Sequence, residues 1–242
     1  MSGRAALLLT GVFVAMLIAG GCTKPQQLLT APRSRAEPAF TYEPMPCRPA
    51  KEVPVQRPTV RPAPLPVLPD HDTAWLVQKA ERPWRYIVVH HSATPRGSAA
   101  SFDRWHRNHN GWDELGYHFV IGNGTLTPDG CIEVGSRWPK QKHGAHCKVG
   151  DDETYNDWGI GICLVGNFER DRPTEAQMGA LARLVDYLRV KYTIPDRCII
   201  GHGDVDDTRC PGRNFSFGNL FSRLRQRQAA REAIARAEPR RR

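Results

Sequence analysis

The sequence predicts a single α/β domain built around a mixed β-sheet. Short β-branched runs alternate with segments of helical periodicity over about 150 residues, which is typical of this class. Proline separates the domain from what precedes it, because 12 of the 20 prolines fall within residues 23–70. The predicted order is a signal segment at 1–22, a Pro-rich linker at 23–71, the domain at 72–224 and an Arg-rich tail at 225–242.

Net charge divides along the same boundaries. The chain carries +9 in total, yet residues 71–222 carry −1, whereas residues 23–70 carry +3 and residues 223–242 carry +6. A nearly neutral domain disfavours a polybasic nucleic-acid-binding core. A polytopic membrane protein is excluded because the sequence has a single long apolar stretch, close to Met1.

The first 22 residues have the pattern of an export signal. Arg4 precedes an apolar run of about 15 residues, shorter than the ~20 that span a membrane. The run ends in small residues and Cys22, which resembles a bacterial lipoprotein signal, although Ala19 stands where that pattern prefers Leu. We expect acylated Cys22 to anchor the protein to the outer membrane, facing the periplasm, because Thr23 follows it and not Asp. An ordinary cleaved signal with a chance cysteine is the alternative.

The linker at 23–71 is predicted to form no core. Its prolines remove backbone donors and favour extended polyproline conformations, so it could reach on the order of 100 Å. The linker either holds the domain that follows at a distance from the membrane anchor or is an unstructured spacer whose length has no role.

Five strands are predicted within the domain. Residues 85–90 form the first, since this β-branched run suits a buried strand. The second, residues 117–121, is closed by a Gly-rich turn, and the third, 131–134, follows a Pro-Asp-Gly turn. Residues 160–165 and 198–200 are the fourth and fifth.

Helices are predicted between these strands. Residues 98–109 carry apolar and aromatic side chains at helical spacing. The clearest helix begins at Thr174, which forms a capping box with Gln177, and ends near Tyr192. Leu220 and Leu224 indicate the start of a last helix. The tail beyond it is predicted as a helix of low stability or a disordered arm.

Histidines and cysteines form three candidate ligand groups. One joins His90 or His91, at a strand end, with His202 and Cys210; the others are His143, His146 and Cys147, and the helical pair His106 and His109. Zinc favours imidazole and thiolate ligands, and a catalytic zinc site keeps three protein ligands and one open position. Spacing alone does not choose among the groups.

Motifs throughout the domain resemble the type 2 N-acetylmuramoyl-L-alanine amidases, a family that includes phage lysozyme-type amidases and the peptidoglycan recognition proteins. The resemblance covers about 140 residues, with the motifs in the family's order. They are the run Ile87-Val88-Val89-His90-His91-Ser92, Gly111-Trp112, Leu115-Gly116-Tyr117-His118-Phe119, Gly144-Ala145-His146, Asn156, Gly159-Ile160-Gly161-Ile162-Cys163-Leu164-Val165-Gly166-Asn167, Gly201-His202 and Cys210-Pro211-Gly212.

The resemblance implies a mixed sheet flanked by helices, with Zn²⁺ in a groove. It assigns the metal to His90, His202 and Cys210. Because adjacent strand residues face opposite ways, His91 would then be structural. Tyr117 matches the family's catalytic tyrosine, and Thr208 is expected to assist as a neutral donor.

Other positions carry over less directly. His146 and Asn156 match positions that line the groove and are expected to contact substrate. Cys163 stands where many family enzymes carry Glu, which leaves the general base open; as a buried small side chain it is expected to serve packing. Disulfides among Cys47, Cys131, Cys147 and Cys198 are possible in an exported chain and cannot be paired from sequence.

The resemblance therefore predicts a zinc-dependent amidase that cleaves the bond between N-acetylmuramic acid and L-alanine in peptidoglycan. We expect peptidoglycan and, through Cys22, a membrane as partners, no nucleic acid, and a monomer. A peptidoglycan-binding module without catalysis is the alternative. Such modules typically lack the zinc cysteine, which is present here as Cys210.

Overall fold

A computed structural model describes residues 72–237, and its centre is a five-stranded sheet. The strands are β1 (Tyr86–His91), β2 (Phe119–Ile121), β3 (Ile132–Val134), β4 (Gly159–Leu164) and β5 (Ile199–Gly201). Their order is β3-β2-β4-β1-β5. Only β3 runs antiparallel to its neighbour, so the sheet is mixed, as predicted.

Helices connect and cover the strands. They are α1 (Ala99–Asn110), the short helices α2 (Arg137–Lys140) and α3 (Thr154–Asp157), α4 (Glu175–Tyr192) and α5 (Phe217–Ala237). The predicted Thr174–Gln177 capping box is present, with the Thr174 hydroxyl accepting from the Gln177 backbone N–H at 3.0 Å. Both α2 and α3 are single turns too short to give a periodic pattern, and the sequence did not indicate them.

The two faces of the sheet bury different clusters. Alternate residues such as Ile87 and Val89 of β1 join the main core, which includes apolar residues of α4 and α5. Val120 and Cys163 face the other way and pack with Phe102 of α1 in a smaller cluster. His90 is the register partner of Cys163, so it lies on the α1 side of the sheet.

The last helix continues past residue 224, where the tail was predicted to begin. Leu220 and Leu224 are fully buried, and α5 extends in one piece to Ala237. The described part of the Arg-rich segment is therefore helical, and residues 238–242 lie outside the described range.

A buried carboxylate in α4 holds α5 against the domain. Asp186 is fully buried and pairs with Arg189 of its own helix at 3.1 Å. Two arginines of α5 also form ion pairs with Asp186: Arg227, at 3.2 Å, and Arg231. These arginines consequently stabilise the interior of the protein.

Several predicted features fall on residues that the structure does not describe. The signal at 1–22 with Cys22, the linker at 23–71 with Cys47, and the end of the tail belong to this group. Within residues 72–237, no helix has both the length and the apolar character needed to cross a membrane.

Candidate metal centre and groove

Three side chains from distant parts of the chain meet at one edge of the sheet. His90 lies near the end of β1, and His202 follows β5 directly. Because β1 and β5 are parallel neighbours, their carboxyl ends reach the same edge. Cys210 returns on the loop after His202 and brings its Sγ to 3.7 Å from Nδ1 of His90. Ligand atoms of the three residues all lie within 4.8 Å of one another.

Backbone hydrogen bonds fix the loop that carries Cys210. The Gly203 N–H donates to the Cys210 carbonyl at 2.6 Å, and the His91 N–H donates to the Cys210 sulfur at 3.3 Å. A Cβ on Gly203 would lie 2.5 Å from the Thr208 carbonyl oxygen, so only glycine allows this close return. The sulfur is thus held beside β1 independently of any ligand.

This donor set fits a zinc ion. Two imidazoles and one thiolate are ligands that Zn²⁺ prefers, and three protein ligands leave one position for water or substrate. Tetrahedral zinc bonds of ~2.0–2.3 Å separate ligand atoms by roughly 3.6 Å. The observed His90–Cys210 separation of 3.7 Å matches that spacing.

The imidazoles are held in their neutral form. Burial, and then the neighbouring His146 and His202, lower the pKa of His90 well below its usual value. Burial also lowers the pKa of His202, while Asp206 opposes that shift. Neutral imidazoles keep the lone pair that a metal requires.

The thiol of Cys210 is protonated when no cation is bound. Burial raises its pKa to about 12, although the His91 N–H partly stabilises the thiolate. Metal binding therefore has to displace a proton from Cys210.

His146 contacts His90 and is not a member of the candidate metal group. Its Nδ1 is 3.1 Å from Nε2 of His90, and its Nε2 is 3.3 Å from the Gly159 carbonyl oxygen. A carbonyl only accepts, so His146 donates from Nε2 and accepts from His90, which leaves Nδ1 of His90 with its lone pair towards Cys210.

Glycines enclose the His146 ring. A Cβ on Gly144 or on Gly161 would lie 2.3 Å from Cδ2 of His146. The ring therefore packs closely against both glycines, and its two nitrogens are hydrogen-bonded within the protein.

Tyr117 lies next to the candidate metal ligands. Its ring centroid is 5.3 Å from that of His90, and its side chain packs against the small buried cluster that contains Cys163. Burial of the hydroxyl raises the pKa of Tyr117 well above its usual value, so it is a hydrogen-bond donor at neutral pH.

Cys163 is fully buried in the small cluster against which Tyr117 packs, as expected for a packing residue. Burial raises the pKa of the Cys163 thiol well above its usual value. A thiol that stays protonated does not act as a general base, so Cys163 contributes packing beside Tyr117.

The groove beside the metal site has a volume of about 560 Å³. Residues around it include Trp112, His143, His146, Asn156, His202 and Asp206. Asn156 is buried, and its Oδ1 accepts from the backbone N–H groups of His146 and Cys147 at 2.7 and 2.9 Å. Asn156 thus shapes the wall of the groove by holding this loop.

Thr208 does not line the groove beside His146. It borders a second cavity of about 550 Å³ that Arg209 and Phe215 also line. Its hydroxyl oxygen is 3.3 Å from the Cys210 backbone nitrogen and accepts that N–H. The structure therefore connects Thr208 to Cys210 and not to the groove that contains His146.

The rival ligand groups do not come together. His146 is engaged with His90, His143 is exposed, and burial raises the pKa of Cys147 to about 12. In the helical pair, His106 Nδ1 accepts from the Gly116 N–H at 3.1 Å, and His109 stacks on Trp105. Among the described residues, only His90, His202 and Cys210 form a group with metal-binding geometry.

Within residues 72–237, His91 lies outside the candidate metal centre, and Cys131 and Cys147 form no disulfide. His91 faces away from the site, where its Nδ1 accepts from the Phe168 N–H at 3.1 Å, as strand alternation predicts. Cys131 and Cys147 carry free thiols, so Cys131–Cys198, Cys131–Cys147 and Cys147–Cys198 disulfides do not form.

Comparison with known proteins places the chain in a family. Residues 80–213, more than half of the chain, match the family model of N-acetylmuramoyl-L-alanine amidases, Amidase_2. The chain belongs to the N-acetylmuramoyl-L-alanine amidase family. This confirms the resemblance found in the sequence motifs.

Individual relatives of this amidase-family chain include phage and animal proteins. The endolysin of Klebsiella phage KP32 is 35% identical over 133 residues, covering 52% of this chain and 78% of the endolysin. Peptidoglycan-recognition protein LB of Drosophila melanogaster is 30% identical over 158 residues, covering 61% of each chain. The N-acetylmuramoyl-L-alanine amidase of Sus scrofa is 29% identical over 155 residues, which are 59% of this chain and 23% of the pig protein. The chain thus spans less than two thirds of these two animal relatives.

A solved structure in the same family has a similar fold. The endolysin N-acetylmuramoyl-L-alanine amidase LysCS from Clostridium intestinale is 33% identical, with a TM-score of 0.50, over 59% of this chain and 86% of LysCS. The mixed sheet flanked by helices is therefore shared with this family member.

Two contacts of the amidase-family site were not found from the sequence. They are the contact of Asp206 with His202 and the packing of Tyr117 against the cluster that contains Cys163. The second depends on the order of the strands, because it joins the segment before β2 to β4. No sequence signal singles out Asp206 from its neighbours.

Proposed function

We propose that the protein is a zinc-dependent N-acetylmuramoyl-L-alanine amidase. The reaction is hydrolysis of the amide that joins the lactyl group of N-acetylmuramic acid to L-alanine in peptidoglycan. The observation that carries the proposal is the convergence of His90, His202 and Cys210 within 4.8 Å, in a chain of this family.

The three ligands would hold Zn²⁺ through two neutral imidazoles and the Cys210 thiolate. When bound, zinc supplies Lewis acidity, which activates water and polarises a carbonyl. The chain prepares the site by burying His90 and by directing the His91 N–H at the sulfur of Cys210, where it stabilises the thiolate. The proton of Cys210 leaves to solvent.

Tyr117 has the features of an oxyanion stabiliser. Attack of water on an amide carbonyl builds negative charge on the carbonyl oxygen, and a fixed hydrogen-bond donor lowers that barrier. The Tyr117 hydroxyl keeps its proton, and the Tyr117 ring lies beside that of His90. Thr208 acts only indirectly, through the backbone of Cys210.

The groove would receive the stem peptide next to the scissile amide. Asn156 and the ring of His146 form part of its wall, and their proposed contact with substrate is through this surface. Because both nitrogens of His146 bond within the protein, a contact through its ring face or edge is the one that the geometry supports.

The test uses the mature full-length protein and purified sacculi. We expect one zinc per chain and release of peptides that begin with alanine, without new reducing sugar ends. Chelation should abolish release and zinc should restore it, while Cys210→Ala should be inactive. Peptide release by metal-free protein would refute zinc dependence. Binding to sacculi without release by the zinc-loaded protein would favour the non-catalytic recognition module.

We also propose that Cys22 anchors this enzyme at the outer membrane, with residues 23–71 as a tether and the catalytic domain in the periplasm. The support is the pattern of Arg4, apolar run and terminal cysteine in the first 22 residues. Mass spectrometry of the mature N-terminus should find acylated Cys22, and Cys22→Ala should release the protein from membranes. A mature protein that begins at an unmodified residue would refute the anchor.

A further inference from the structure

The two histidines of the metal site are supported by different chemical groups. His202 places Nε2 3.2 Å from Oδ2 of Asp206, four residues later on the loop that leads to Cys210. His90 is supported by the neutral imidazole of His146. A carboxylate therefore contacts the ring of His202, whereas an imidazole contacts the ring of His90.

The Asp206 contact determines which nitrogen of His202 is available. An ionised carboxylate only accepts hydrogen bonds, so Nε2 of His202 carries the hydrogen and Nδ1 keeps its lone pair. A carboxylate partner also increases the basicity of an imidazole ligand and fixes its ring orientation. The same tautomer is set in His90, whose Nδ1 faces Cys210.

The carboxylate of Asp206 is itself held in position. Its Oδ1 accepts the backbone N–H of Asp207 at 2.9 Å, which leaves Oδ2 for His202. Among residues 72–237, no Lys or Arg lies within ion-pair distance of Asp206. Its side chain is 34% exposed, so its negative charge is neither neutralised by a cation nor fully buried.

We propose that Asp206 is a positioning residue for metal ligand His202: it fixes the Nδ1 lone pair towards the metal and adds negative charge near the cation. This inference rests on the zinc site of the proposed function. It assigns to Asp206 a contribution to metal affinity and not a contact with substrate.

The experiment compares zinc affinity in four full-length proteins by competition with a chromogenic chelator. Asp206→Ala removes both hydrogen bond and charge, and we expect it to weaken zinc binding about 10- to 100-fold. Asp206→Asn keeps size and hydrogen-bonding capacity without the charge, and should weaken binding by a smaller factor. Asp207→Ala is the matched control, because Asp207 is an exposed neighbour, and should bind within about twofold of the parent.

A spectroscopic measurement separates positioning from a role in loop folding. Cobalt-loaded Asp206→Ala should show a shifted visible d–d spectrum, whereas its metal-free thermal midpoint should match that of the parent. Zinc affinity of Asp206→Ala within twofold of the parent would overturn the inference. So would an affinity loss that is accompanied by an equal loss of metal-free stability and an unchanged cobalt spectrum. If the parent itself binds no zinc, the proposed function fails first, and the two failures are thus distinguishable.

Discussion

Nδ1 of His90 and Sγ of Cys210 lie 3.7 Å apart, although 120 positions separate the two residues in the chain. This is the separation of neighbouring ligands in a tetrahedral zinc site, roughly 3.6 Å. It arises from protein contacts alone, because β1 carries His90 and the His91 N–H holds the sulfur. The site is therefore preformed by the fold.

A preformed site predicts that the metal-free protein is folded and that zinc stabilises it further. A ligand that binds only the native state adds RT ln(1 + [L]/Kd), about 4 kcal/mol at a thousandfold excess over Kd. We expect the thermal midpoint to rise with added zinc while the far-ultraviolet circular dichroism stays the same. Chelated protein that loses its secondary structure at 25 °C would contradict a preformed site.

Tyr117→Phe should lower kcat about 10²- to 10³-fold, because it removes one preorganised donor to the developing oxyanion. Zinc affinity should stay within about twofold, since Tyr117 is not one of the three candidate ligands. Peptide release from sacculi and chelator competition measure the two quantities. Tyr192→Phe is the control, because Tyr192 packs on Trp138 at the end of α4. A Tyr117→Phe enzyme with kcat within threefold of the parent would exclude this role.

Gly161→Ala should disturb the support of His90. The added Cβ would lie 2.3 Å from Cδ2 of His146, which must move and lose its bond to Nε2 of His90. We expect zinc affinity to fall about tenfold or more, as for the loss of other outer partners of metal ligands. Chelator competition measures it.

Gly179→Ala is the matched control for this substitution. Gly179 lies in α4, where a Cβ meets nothing within 4 Å. The change should leave zinc affinity as it is and stabilise the protein by about 0.5–1 kcal/mol. Equal zinc affinity in the two alanine variants would show that His146 tolerates displacement.

Asp186→Asn should loosen α5. Removing the carboxylate leaves Arg189, Arg227 and Arg231 without their shared partner, and breaking a buried ion pair costs about 3–5 kcal/mol. We expect the free energy of unfolding to fall by about 3 kcal/mol, the lower end of this range, because Arg227 and Arg231 are partly exposed and can be hydrated. Urea denaturation gives the free energy of unfolding.

Asp196→Asn tests the same chemistry at the surface. Asp196 pairs with Arg189 at 2.7 Å but is 55% exposed, so its loss should change stability by less than about 1 kcal/mol. If both variants lose the same stability, the buried position of Asp186 has no special importance.

His118 should make stability depend on pH in the acidic range. It is fully buried, its Nδ1 accepts from the Gly161 N–H, and its Nε2 donates to the Lys142 carbonyl. Burial lowers its pKa from 6.5 to about 3. Between these two values the unfolded chain binds a proton that the folded protein does not, so the free energy of unfolding falls as pH falls.

The expected effect of His118 is about 1.4 kcal/mol per pH unit between pH 6 and pH 4. His118→Asn, which keeps an acceptor for Gly161, should be less stable at pH 7 but should have a shallower slope by about one proton. Urea denaturation across this range measures both slopes. Parallel slopes would show that His118 is not the group that titrates on unfolding.

Local patterns in the sequence were sufficient for the main elements of the fold. Alternation and β-branched runs predicted the five strands to within about two residues, and the Thr174–Gln177 box located the start of α4. These signals are local, because caps and periodicity act within a few residues of one another. The single-turn helices α2 and α3 lack such signals and were missed.

The motif resemblance predicted the ligand set, but spacing alone left three groups of histidines and cysteines open. Only tertiary structure excluded two of them. Parallel pairing of β1 with β5 brings His202 to His90, while His146 hydrogen-bonds to His90 and forms no metal-binding group with Cys147 among the described residues. Such pairing depends on strand order, which is a long-range property.

The sequence by itself therefore determined the α/β class, the family and the residues able to bind zinc. Tertiary structure decided which groups surround those residues, with Asp206 hydrogen-bonded to His202 and Tyr117 packed on the cluster that contains Cys163. It also decided that Arg227 and Arg231 of α5 bond to Asp186. The physical reason is that burial and hydrogen-bond geometry depend on neighbours dozens of residues away, which composition and periodicity do not specify.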